Sequence, residues 1–253
     1  FEPFAYDPKT IDAVLVTHAH IDHIGRLPKL VKTGFNGRIF STPPTKEIAG
    51  LMLEDSLGVM RKEARGSGKP LLYEFAEVTT ALARWQTIEY RVPFPLADSG
   101  ATLISHDAGH ILGSAMYEIV RDNRRILFTG DLGSSPSPLL HDTEIVKGIN
   151  YLVMESVYGD REHDQQATRR DRLEDVIENT MKQDGVLLIP AFSIERTQEL
   201  LYELEHMTAE GRIPPVPVYL DSPLAIKVTE IYKHFQNYFN STVSDPDHLR
   251  DGI

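Results

Sequence analysis

The 253-residue chain has no cysteine. That excludes disulfides, thiolate zinc sites and cysteine nucleophiles, and it fits a reducing compartment, so a cytoplasmic protein is the expectation. Long apolar runs are missing as well. No stretch approaches the roughly 20 residues a membrane helix needs, and the opening segment FEPFAYDPKT lacks the basic and apolar regions of a signal peptide. Basic residues are in the minority, with 26 Lys and Arg against 37 Asp and Glu for a net charge of −11. Such a balance counts mildly against a protein that lives on non-specific nucleic-acid contacts, although a local groove of Arg and bound dications still attracts phosphate. With 41% hydrophobic and 25% charged residues, the composition is that of a folded globular chain.

Several short apolar runs read as strands buried on both faces: Ala13 to Thr17, Arg125 to Thr129, Tyr151 to Met154, Gly185 to Ile189, and a shorter one from Pro217 to Leu220. Between Thr87 and Thr129 strands follow one another with only turns between them, which predicts antiparallel pairing. From about residue 150 strands alternate with helices, which predicts an α/β arrangement. One helix is expected with Thr168 as its cap and Leu173, Val176, Ile177, Thr180 and Met181 along one stripe. A second is expected from Ser193, with Ile194, Thr197, Leu201 and Leu204 on one side. In a third, Ser222 caps and Pro223 takes the first helical position, followed by Leu224, Val228, Ile231 and Tyr232. Only 12 residues precede the first strand, and the strand–helix alternation stops at Gly252-Ile253, so the chain is expected to be part of a longer one.

The densest chemistry is His18-Ala19-His20-Ile21-Asp22-His23, directly after the first strand. Imidazole nitrogen and carboxylate oxygen suit zinc, and four such groups in six residues exceed what one closed structural site takes from a single loop. A loop can turn His18 and His20 to one metal and Asp22 and His23 to a second, about 3.5–4 Å away in two-metal hydrolases. Two later pieces would complete such a site: His110 in Asp107-Ala108-Gly109-His110-Ile111-Leu112-Gly113-Ser114, and Asp131 in Thr129-Gly130-Asp131-Leu132-Gly133. Each is unremarkable by itself, and their weight comes from order, every group lying at a strand end on what can be one rim.

Together these segments resemble the metallo-β-lactamase fold, with His18, His20, Asp22 and His23 matching its HxHxDH motif, His110 its third motif and Asp131 its fourth. Further on, Met154-Glu155-Ser156-Val157-Tyr158-Gly159-Asp160-Arg161-Glu162-His163 is similar to the acidic motif of the β-CASP branch. The segments from Pro190 to Leu201 and from Tyr219 to Ala225 resemble the opening of its inserted cap domain. The implied fold is α/β: an incomplete metallo-β-lactamase αββα sandwich over residues 1–190, then the start of an α/β β-CASP cap over 191–253.

The resemblance implies that His18, His20 and His110 hold one zinc, Asp22 and His23 the other, and that Asp131 bridges them. It implies RNA hydrolysis by water activated between two zinc ions, with Asp22 and Glu155 as catalytic residues and Glu155 orienting a cap-domain His that protonates the leaving oxygen. Single-stranded RNA is the implied partner, Arg161 and His163 the implied phosphate contacts, and a homodimer is compatible with the pattern. The family's early Asp motif and its late His motifs have no match here, so residues 1–253 alone are expected to be weakly active or inactive. His141, His206, His234 and His248 fall in no motif and read as surface or helix-face residues, and His106 is an addition that the family pattern does not require. Two other readings stay open: a hydrolase of a small-molecule ester on the same fold, which generally lacks the cap segments, and a scaffold subunit, which has no need of six convergent ligands.

Overall fold

A computed structural model describes residues 2–68, 70–96, 99–161, 166–241 and 243. The contacts divide the chain into two compact units, residues 1–155 and 156–253, so the expected domain limit at 190 falls inside the second unit.

The first unit holds two sheets. β1 (Ala13–Leu15), β2 (Arg38–Ser41) and β3 (Trp85–Thr87) form a parallel sheet in that order. Parallel strands need crossovers, and helices supply them: α1 (Ile21–Ile24) and α2 (Leu27–Lys32) between β1 and β2, then α3 (Pro43–Ser67) and α4 (Phe75–Ala83) between β2 and β3. The second sheet runs β4 (Phe94–Leu96), β5 (Ala101–Asp107), β6 (Ala115–Arg121), β7 (Arg124–Phe128) and β8 (Tyr151–Val153). Its first four strands pair antiparallel, as the turn-rich sequence predicts, and β8 joins β7 in parallel.

The two sheets share one core. Phe40 of β2 packs with Leu103 of β5 and with Ala115 and Tyr117 of β6, and Ala13, Leu15, Phe94 and Ile119 close around them. Ile39, next to Phe40, points to the other face by the strand pleat and is fully buried. One polar side chain and one main-chain bond tie the second sheet to the end of β1 as well. The Tyr117 hydroxyl donates to Val16 O at 2.8 Å, and Ala115 N donates to Thr17 O at 2.7 Å. Both bonds land on the segment that leads into the residue 18–23 loop, so the second sheet fixes where that loop starts.

The second unit contains α5 (Gln166–Lys182), α6 (Arg196–Ala209) and α7 (Pro223–His234). Ile177, Met207 and Ile213 form its core with Leu173, Leu187 and Leu204. Ser222 caps α7 as expected, its Oγ accepting from Ala225 N at 3.2 Å, with Pro223 first in the helix. α5 begins two residues before Thr168, and along its expected stripe Ile177 is buried while Val176 and Met181 are exposed. α6 begins at Arg196, three residues later than expected, because Glu195 stands at φ +62° and breaks the helical path.

Two expected strands do not form. Residues 185–189 and 217–220 belong to no strand and have no ladder partner among the described residues, and Val186, Leu188 and Tyr219 are more than 80% exposed. Apolar, β-prone sequence is necessary for a strand, but the ladder exists only where a second segment supplies donors and acceptors. β8 does form, yet Tyr151, Leu152 and Val153 are each about half exposed and not buried on both faces, since β7 is its one strand neighbour among the described residues. β1 is likewise shorter than expected, ending at Leu15, and only half-buried.

Candidate metal centre

Three loops at strand ends of the first unit meet. The residue 18–23 loop follows β1, and α1 opens inside it with His20 at the N-cap position. The loop carrying His110 joins β5 to β6, and the loop carrying Asp131 follows β7. The His110 loop is set by its own polar groups: Asp107 Oδ1 accepts from Gly109 N at 2.9 Å, and Ser114 Oγ accepts from His110 N at 3.0 Å. Thr42 and Thr45, at the start of α3, both donate to Gly113 O. The Asp131 loop passes so close that only glycine fits. A Cβ on Gly130, which sits at φ +57°, would lie 2.7 Å from Thr17 Cβ, and one on Gly133 would lie 1.7 Å from Gly109 O.

Ligand-type atoms of His18, His20, His110 and Asp131 all lie within 4.8 Å of one another. His20 Nδ1 and His110 Nε2 are 3.2 Å apart, and Asp131 Oδ2 is 3.6 Å from His18 Nε2 and 3.8 Å from His110 Nε2. A tetrahedral zinc with bonds of about 2.0–2.1 Å places its ligand atoms roughly 3.3 Å apart, close to these separations. On the other side Asp131 Oδ1 is 3.5 Å from His23 Nε2, which is 3.6 Å from Asp22 Oδ2. The Asp131 carboxylate therefore stands between two groups, three histidines on one side and the Asp22–His23 pair on the other, with Asp22 the most exposed member at 76%.

The electrostatics suit a cation. His18 is fully buried, and its Nε2 has no hydrogen-bond partner, while Nδ1 lies 3.1 Å from Thr17 Oγ1. An orphaned buried imidazole nitrogen costs free energy unless a lone-pair acceptor such as a metal is part of the design. Burial, reinforced by His23, His110 and His20, pushes the His18 pKa from 6.5 down to about 2. Burial and then His20 push that of His110 down to about 4, against the pull of Asp131 and Glu155. His20 is lowered too, chiefly by burial. Neutral imidazoles with free lone pairs are the ligating form, so the residues present fit a divalent metal.

Glu155 lies beside this cluster. Its Oε1 accepts from Leu132 N at 2.9 Å, and its own N–H donates to Thr129 Oγ1 at 3.3 Å, so it is fastened on both sides of Asp131. Arg161 belongs to the second unit, where it is exposed, stacks over Tyr158 at 5.2 Å and faces Asp160. His163 and His248 lie outside the described residues. His141 is exposed, His206 packs on Tyr202 within α6, and His234 stacks on Phe235 at the end of α7. The contacts of Thr17 with His18 and of Thr129 with Glu155 have no spacing signal in the sequence, because a lone threonine marks no motif. The Thr17 position directly before His18 was the one available hint.

Residues 4–156 match the model of the metallo-beta-lactamase superfamily domain. The chain belongs to that superfamily. Residues 197–251 match the Beta-Casp domain, which places this metallo-beta-lactamase chain in the β-CASP branch. It is 38% identical over 242 residues to a ribonuclease of Thermus thermophilus, covering 95% of this chain and 53% of that protein. It is 35% identical over 250 residues to the transcription termination factor FttA of Methanosarcina mazei, covering 94% of this chain and 38% of the other. With the endoribonuclease YSH1 of Yarrowia lipolytica it shares 33% identity over 241 residues, 94% of this chain and 28% of the relative. The chain thus spans about half the length of these curated relatives or less. No helix among the described residues is long and apolar enough to cross a membrane.

Proposed function

We propose that this chain carries the metal-binding half of a ribonuclease active site that hydrolyses phosphodiester bonds in single-stranded RNA. The observation that supports the reading most is the convergence of His18, His20, His110 and Asp131, from three separate loops, on one point. The names of the relatives supply the substrate class.

In this proposal His18, His20 and His110 would hold one zinc, Asp22 and His23 would hold a second, and Asp131 would serve both. The chemistry such ions supply when bound is a lowered pKa for water and relief of the charge that builds on phosphoryl oxygens. The chain's own residues set the stage. Thr17 Oγ1 would accept a hydrogen bond from His18 Nδ1–H, the tautomer that leaves Nε2 free to ligate. Leu132 N–H fixes the Glu155 carboxylate, which orients a proton donor toward the leaving oxygen. Arg161 and His163 take the role of phosphate contacts. In this reading the protein acts in the cytoplasm, with which a cysteine-free chain is compatible, and a homodimer is in keeping with it.

The test is cleavage of 5′-labelled RNA by the protein before and after treatment with a chelator. Cleavage that stops with chelator and returns with zinc is the expected result, and the product lengths distinguish internal cutting from trimming. Cleavage untouched by chelator, or a purified protein holding no zinc, would overturn the proposal.

A further inference from the structure

His106 sits on β5, four residues before His110, and its ring is buried. Both ring nitrogens face carboxylates: Nε2 is 2.9 Å from Glu118 Oε2 on β6, and Nδ1 is 3.0 Å from Glu144 Oε1 in the stretch between Asp131 and β8. A carboxylate only accepts, so both contacts form when both ring nitrogens carry a hydrogen. The chain of charge continues outward on each side. Arg125 Nε donates to Glu118 Oε1, and an Arg91 Nη2 lies 3.0 Å from Glu144 Oε2. Arg125 also donates through Nη1 to Lys147 O at 2.8 Å.

The five side chains form one continuous run of contacts, Arg91, Glu144, His106, Glu118, Arg125. They bind the segment after Asp131 to the strands that flank the His110 loop. Main-chain bonds lie alongside: Glu144 N to Asp107 O at 3.0 Å, and Gly133 N to Ala108 O at 2.9 Å. The β5–β6 ladder already runs from Thr102 to Asp107 without help from these charges, and a carboxylate as buried as Glu118, 1% exposed, is costly to keep in the interior. The network lies beside the main-chain bonds that join the loop of His110 to the segment that follows Asp131.

We infer that His106 is a positioning residue for the metal centre, acting through Glu144 to hold Asp131 at ligating distance from His110. The inference rests on the reading that these two residues bind a metal. The experiment measures zinc affinity, by competition with a chelating dye well below the melting temperature, for the protein and its His106→Ala, Glu144→Ala and doubly substituted variants. Each single variant is expected to bind zinc at least about tenfold more weakly, as for other residues that support metal ligands. Because both act through one contact, the double variant should be no more than about twofold worse than the weaker single.

Should His106→Ala not fold, His106→Gln, which keeps a donor for only one of the two carboxylates, carries the comparison with the same expectation. A lowered melting temperature with zinc affinity within twofold of the parent would make the network purely structural and overturn the inference. Fully additive losses would overturn the route through Glu144. A parent protein that takes up no zinc would defeat the metal reading itself, and that result is distinct because it appears before any variant is compared.

Discussion

Gly133 lies against the backbone of Gly109 so closely that a single added methyl group would fall 1.7 Å from the Gly109 carbonyl oxygen. The contact joins the loop of Asp131 to the loop of His110 with no side chain between them. Gly133→Ala must therefore push the loops apart. The expected cost is about 1–3 kcal/mol or more, since the obstacle is main chain and not the end of a flexible side chain. Thermal melting and zinc content measured together check this, and a variant with normal melting and full zinc would contradict it.

His20→Ala removes one ligand-type nitrogen from the cluster and leaves the sheets untouched. RNA cleavage should fall by at least about 100-fold, beyond what the loss of a supporting residue costs, with RNA binding largely retained. Circular dichroism and a binding assay accompany the rate measurement. An unfolded variant would make the histidine cluster a structural element.

Thr17→Val keeps the shape of the side chain but deletes the oxygen 3.1 Å from His18 Nδ1. The ring is then free to change tautomer and turn Nε2 away from the cluster. A loss of about tenfold in zinc affinity is expected with little change in the melting temperature of the metal-free protein. Equal affinity in the two proteins would show that packing alone orients the ring.

Acid should destabilise the metal-free protein early. His18 and His110 are held at about 2 and about 4 in the folded state against 6.5 in the unfolded chain. Below pH 6.5 the unfolded state binds protons that the folded state refuses, so stability is fully present above that pH and falls as pH drops. The slope is up to about 1.4 kcal/mol per pH unit for each of the two histidines, and it continues for His110 down to about pH 4. Urea unfolding at a series of pH values measures it. Constant stability from pH 7 to pH 5 would contradict the neutral, buried state of these rings.

The sequence was most legible where chemistry is local. His18, His20, Asp22 and His23 occupy six consecutive residues, and Ser222-Pro223 is a helix start that needs no partner elsewhere. The antiparallel run β4 to β7 could be read because short turns leave the strands little choice of neighbour. Legibility failed where a feature depends on a distant partner. Among the described residues, Val186 and Leu188 have the composition of a strand but no ladder, and Tyr151 to Val153 read as buried although their strand has one neighbour. His106 looked idle because Glu118 and Glu144 stand 12 and 38 residues away in sequence, and no spacing rule connects them. The late start of α6 depends on a single left-handed residue, Glu195, of a type that rarely adopts that conformation.

The hydroxyl of Tyr117, anchored on the main chain of Val16, lets one sheet serve as the bearing for a loop that grows from the other. Folding of this unit already gathers four ligand-type groups, so in the proposed function an arriving ion would meet donors held in place by the protein. Replacement of one small dication by another should then proceed by simple exchange, leaving the polypeptide as it was.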